Sequence, residues 1–156
     1  MSRMTYSLCF SYLLFTASPV AAADASEAQA RAAVQDFLSA REGRNLDDLM
    51  KVVDVPWYHD RKSVITERNE LQTEFHRLLS RKNQAKVRYE VRRLSSYQEL
   101  RDRFTEDERR MIDQVLTPKD MIAFITVSAV GADRLDVLLL LVRLRDGHGK
   151  VVGIQN

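Results

Sequence analysis

Ala33-Val34-Gln35-Asp36-Phe37-Leu38-Ser39-Ala40-Arg41-Glu42-Gly43-Arg44-Asn45-Leu46-Asp47-Asp48-Leu49-Met50 decides the fold. It reads as a helix, a short break and a second, shorter helix. Ala30, Ala33, Val34, Phe37 and Leu38 recur at i, i+3, i+4, i+7 and i+8, so they share one apolar stripe. The spacing predicts a helix over 26–42, with Ser26 as its N-cap and Gly43 as its stop. Asn45 then caps the second helix. Asp47 and Asp48 suit the positive end of its dipole, and Leu46, Leu49 and Met50 point inward.

Downstream, Val52-Val53-Asp54-Val55-Pro56-Trp57-Tyr58 is rich in strand formers, with a proline that suits an edge or a bend. Thr66 opens a third helix that carries Leu71, Phe75, Leu78 and Leu79 on one face. Residues 86–94 alternate: Val87, Tyr89 and Val91 face one way, and Lys86, Arg88, Glu90 and Arg92 the other. Ser96-x-x-Glu99 and Thr105-x-x-Glu108 are two capping boxes, each opening a short helix. Pro118 ends that stretch. Residues 121–130 and 135–145 are strands joined by Gly131-Ala132-Asp133-Arg134, and Asp146-Gly147-His148-Gly149 turns the chain into a last strand.

Upstream, Met1-Ser2-Arg3 is a short positive start and Leu8 to Ala17 an apolar run too short to span a bilayer. Ala21 and Ala23 are the small residues before Asp24. This three-part pattern predicts a signal peptide over 1–23 and one mature domain over 24–156, exported to the periplasm or the medium. Loss of Arg3 lowers the formal net charge from +2 to +1. A nearly neutral exported domain gives no case for nucleic acid, or for a membrane once the signal is removed. The basic stretch from Lys82 to Arg93 around Tyr89 reads as a solvated face. The only cysteine, Cys9, lies in the predicted signal, so the mature chain has no disulfide and no thiolate. His59, His76 and His148 match no metal template, and no metal or cofactor is expected.

Helices first and a long meander last imply an α+β domain with helices on one face of a curved antiparallel sheet. In the strand over 135–145 both faces are apolar: Val137, Leu139 and Leu141 on one, Leu138, Leu140 and Val142 on the other. An antiparallel sheet normally packs one face only. The second face calls for a cover, either a second copy in a homodimer through the sheet or a helix or loop of the same chain.

The 33–50 stretch and the closing Lys150-Val151-Val152-Gly153-Ile154 strand resemble the nuclear transport factor 2-like superfamily over nearly the whole mature chain. The resemblance implies a cone-shaped α+β fold with N-terminal helices packed on a curved antiparallel sheet, around a pocket. A cystatin-like or other helix-plus-meander fold is the alternative. Isomerases, cyclases, dehydratases and binding modules share this cone, so the fold does not choose among them. The resemblance to ketosteroid isomerases implies a general-base aspartate near the end of the first strand, where Asp54 and Asp60 fall. The matching oxyanion hole needs a tyrosine that the first helix lacks.

Trp57, Tyr58 and His59 form the richest cluster beside Asp60, and either line a site or pack the core and turn. Tyr89 and Arg93 form a second candidate group. An inward Arg93 would need a partner or an anion such as a ligand carboxylate, whereas a bulge before it leaves it in water or exchanges it with Arg92. The expectation is an exported domain that binds a small apolar or amphipathic ligand. The alternative is an isomerase-, cyclase- or dehydratase-type enzyme with a pocket aspartate as base.

Overall fold

The computed structural model describes residues 19–81, 86–130 and 135–156. The signal reading therefore falls outside the described residues up to residue 18, as do Lys82 and the 131–134 link. The first helix starts earlier than its periodicity suggests. It runs as α1 over Pro19–Glu42, straight through the Ala23–Asp24 junction, so Ser26 lies within it and is not its cap. All five stripe residues, from Ala30 to Leu38, are buried. The Gly43 N–H bonds the Ser39 carbonyl at 2.9 Å and closes the helix. Asn45 Oδ1 accepts the Asp48 N–H at 3.2 Å and opens α2, Leu46–Val52.

Among the described residues six strands follow: β1 Val53–His59, β2 Ser63–Ile65, β3 Val87–Ser96, β4 Met121–Ala129, β5 Leu135–Arg145 and β6 His148–Gln155. They form one curved, open sheet in the order β2-β1-β6-β5-β4-β3. Every pairing is antiparallel except β1 with β6, which is parallel. The β1–β6 register shifts between Val53 and Tyr58, around Pro56, so the proline occupies an irregularity inside the sheet.

Helices α1, α2 and α3 (Arg68–Leu79) cover the concave side. There the main core joins Val34, Phe37, Leu49, Trp57, Leu71 and Phe75 to Ile125, Leu138 and Leu140. The backbone of α1 presses close to the sheet at Gly149. A Cβ there would stand 2.8 Å from the Ala33 Cβ and 2.9 Å from the Gln29 carbonyl oxygen, so only glycine fits this crossing.

The convex side has its own core. Tyr97 and Leu100 of α4 (Tyr97–Leu100) and Ile112 of α5 (Glu106–Ile112) pack with Val115 and Leu116 on Tyr58, Ile122, Leu141 and Val152. A 3₁₀ turn, Arg101–Arg103, joins the two helices. Both predicted caps form at the backbone: Ser96 Oγ accepts from the Glu99 N–H, and Thr105 and Glu108 make the full reciprocal box. The second apolar face of β5 is thus covered over Leu141 by the same chain. Leu135 and Val137, at the other end of that face, are 61% and 57% exposed.

Candidate functional site

Between α1, α3 and the start of the sheet the concave core leaves a cavity of about 90 Å³. Its floor is aromatic. Trp57 lies 5.1 Å from Phe75 and 6.2 Å from Phe37, centroid to centroid, so three rings from three elements line it together. Leu49, Leu78 and Ile154 complete the apolar wall. Arg41, His59, Glu74 and Asn156 supply the polar groups of the lining.

Helical periodicity explains two of these. Arg41 stands one turn beyond Phe37 and Glu74 three positions beyond Leu71, so each continues an apolar stripe with a charge. Glu74 is held by Arg77: Nε reaches Oε2 at 3.1 Å and Nη2 reaches Oε1 at 2.6 Å. The Arg77 hydrogen bond, with the charge of the same guanidinium, keeps the Glu74 carboxyl below the usual carboxylate range against the opposing effect of burial. Among the described residues Arg41 forms no such ion pair. Its guanidinium carbon lies 5.8 Å from the centre of the Tyr89 ring. Its Nη1 is buried and meets no acceptor among the described residues.

Arg41 also borders a broader cleft of about 490 Å³ between the C-terminal end of α1 and the start of β3. Glu42, Arg44, Lys86, Arg88 and Tyr89 line it with Val87 and Val130. Arg44 is occupied structurally, since its Nη2 donates to the Leu79 carbonyl and, at 2.6 Å, to that of Arg81.

The residues singled out from the sequence separate. Trp57 and His59 line the cavity, and Tyr89 lines the cleft beside it. Tyr58 alternates to the convex side, fully buried, with its hydroxyl 3.0 Å from the Gln155 side chain. Burial, then the Glu108 charge, pushes its phenol up to about 12. Arg93 leaves the Tyr89 face because the β3–β4 register shifts between Val91 and Arg93. It pairs with Phe124, holds its guanidinium 5.1 Å from that ring and donates from Nε to Ser95 Oγ at 2.8 Å.

Neither aspartate lines the cavity. Asp54 Oδ2 lies 3.4 Å from Arg143 Nη1, and Oδ1 accepts the Val55 N–H. Asp60 Oδ1 accepts the Asn156 N–H at 2.9 Å, and Oδ2 lies 3.6 Å from Lys62. Among the described residues no three His, Cys, Asp or Glu side chains come together as a metal site, and no helix is long and apolar enough to cross a membrane. The sequence reading missed Arg41 and Glu74. The signal that identifies them is a charged residue in register with a buried stripe.

No protein-family model matches the chain, and no curated protein matches it in sequence. Solved structures do match in shape. One, named for the calcium/calmodulin-dependent protein kinase type II association domain, comes from Thiobacillus denitrificans; it is 14% identical with a TM-score of 0.52, over 80% of this chain and 90% of that one. A ketosteroid isomerase-like protein from Erwinia carotovora is 12% identical with a TM-score of 0.50, over 82% and 92%. A protein of unknown function with a cystatin-like fold from Nostoc punctiforme is 10% identical with a TM-score of 0.52, over 83% and 87%. At such identities the likeness concerns the fold alone, and that fold is the cone-shaped nuclear transport factor 2-like one.

Proposed function

We propose that this domain binds a small amphipathic molecule at the open end of its cone and does no chemistry on it. One observation carries the reading: the cavity has an aromatic floor of Phe37, Trp57 and Phe75 and a few converging polar groups at Arg41, His59, Glu74 and Asn156. An apolar pocket with a small number of placed polar groups is the usual form of a ligand site. The placement of the acids supports binding over proton abstraction. Asp54 and Asp60 are engaged elsewhere, and Glu74, bonded by Arg77, is a weakened base.

The test is a panel of small organic fragments read by thermal shift. Occupied ligand stabilises the folded state by mass action. Fragments that raise Tm should lose that effect in Leu78→Phe, which fills the cavity from its wall. Equal shifts in the two proteins would place binding elsewhere and overturn the reading.

We propose in addition that the chain is exported and that a second copy covers the open strip at Leu135 and Val137. Their exposure supports the second part, since large exposed apolar side chains side by side favour contact with a partner. Sedimentation of the purified chain with and without Val137→Glu tests it. A monomer in both cases would refute it.

A further inference from the structure

The orphaned nitrogen of Arg41 narrows the ligand class. Buried guanidinium N–H groups without an acceptor are costly, and in folded proteins they are ordinarily paired. Here Nη1 is buried, with no acceptor among the described residues. The one acidic side chain in the cavity lining, Glu74, is already held by Nε and Nη2 of Arg77. The Tyr89 ring holds the guanidinium from one side without offering it an acceptor. The guanidinium thus belongs to the cavity lining, one helical turn beyond Phe37, with one nitrogen that meets no acceptor among the described residues.

We propose that the cavity takes a short-chain organic carboxylate, with its apolar tail against Phe37, Trp57 and Phe75 and its carboxylate on Arg41. This rests on the reading of the cavity as a ligand site. A planar fork suits a carboxylate better than it suits a neutral hydroxyl, because two parallel charged hydrogen bonds form at once. The volume sets the tail. About 90 Å³ holds roughly three water-sized groups, so a chain of about three carbons fills it. The site binds and orients; no bond is made or broken.

Trp57 is the only tryptophan of the chain and lies in the cavity floor, so its fluorescence reports occupancy directly. The purified chain is titrated with butanoate and, separately, with butan-1-ol. Butanoate should give a saturable change. Arg41→Gln should weaken it roughly tenfold or more, the scale of a lost charged hydrogen bond. The alcohol should bind more weakly than butanoate and equally in both proteins. Arg41→Lys keeps the charge and loses the fork, so it should fall between the two, and it serves if the glutamine variant does not fold. If the alcohol binds as tightly as butanoate and Arg41→Gln leaves butanoate unchanged, the carboxylate inference is overturned while the ligand site stands. If neither compound changes Trp57, the ligand-site reading fails and takes the inference with it.

Discussion

Trp57 of β1 and Phe75 of α3 meet edge to face, with centroids 5.1 Å apart and planes inclined at 77°. This contact ties the third helix to the sheet and forms the floor of the cavity in the same step. Both residues are almost fully buried. Truncating either removes a large apolar surface and leaves a void that the flanking rings only partly fill.

Trp57→Ala and Phe75→Ala should each destabilise the fold by about 3–5 kcal/mol. The double variant should cost less than their sum, since an aromatic pair contributes about 0.5–1.5 kcal/mol of its own. Urea denaturation of the four proteins measures this. Strict additivity would mean that the two rings act independently.

The same pair shows how far the sequence could be read. Trp57 and Phe75 each stand out on a strand or helix pattern, and so do the stripe of α1, the Asn45 cap and the Thr105–Glu108 box. These features are local, set by spacing within one element. The features that were missed or left open are not. Strand β2 is only three residues long, too short for alternation to register. The parallel pairing of β1 with β6 joins segments about a hundred residues apart. The cover that α4 and α5 lay over Leu141 depends on where two short helices fold back. Arg93 turned outward through a register shift, which no side-chain pattern announces. Arg41 was visible in principle, as a cation in register with Phe37, but its significance depends on α3 giving Glu74 to Arg77.

Arg143 should matter more for stability than the acid it touches. Its side chain is 11% exposed, and it donates to the carbonyls of Val115 at 3.0 Å, Val55 at 3.1 Å and Pro56 at 3.4 Å. It thereby pins the irregular part of β1 to the segment after α5. Arg143→Ala leaves these carbonyls without that donor, at a cost of about 2–4 kcal/mol. Asp54 is 46% exposed, and Asp54→Ala should cost under about 1 kcal/mol. Equal losses in denaturation would show that the ion pair, and not the carbonyl cluster, is what Arg143 provides.

Alkaline pH should act through Tyr58. Its folded pKa, raised chiefly by burial to about 12, lies above the free phenol value of about 10. A raised folded pKa means that the stabilisation is complete below about pH 10 and is lost as pH climbs toward about 12. Tyr97, also raised by burial and by its bond to Asp113, loses stability in the same direction. Tyr58→Phe should flatten the decline over this range without abolishing it, because Tyr97 remains. Ultraviolet titration of tyrosinate should lose one late-ionising group in the variant. An unchanged titration would mean that Tyr58 ionises like a free phenol.

Processing at the N-terminus should be compatible with the fold. The predicted cut after Ala23 falls inside α1, but the buried stripe begins at Ala30, beyond it. Helical residues 24–42 would remain. The new end would carry Asp24 and Glu27 in the first turn, where negative charge suits the helix dipole. The ion pair between Glu27 and Arg31, at 2.9 Å, would brace that turn. In an exporting host the intact mass should correspond to a chain starting at Asp24, and Ala23→Asp should block the cut by removing the small residue next to it. The processed chain should keep the Tm of the full one within a few degrees. A secreted product that retains Met1, or a cytosolic one of full mass, would overturn the signal assignment and leave the first turns of α1 as a permanent part of the domain.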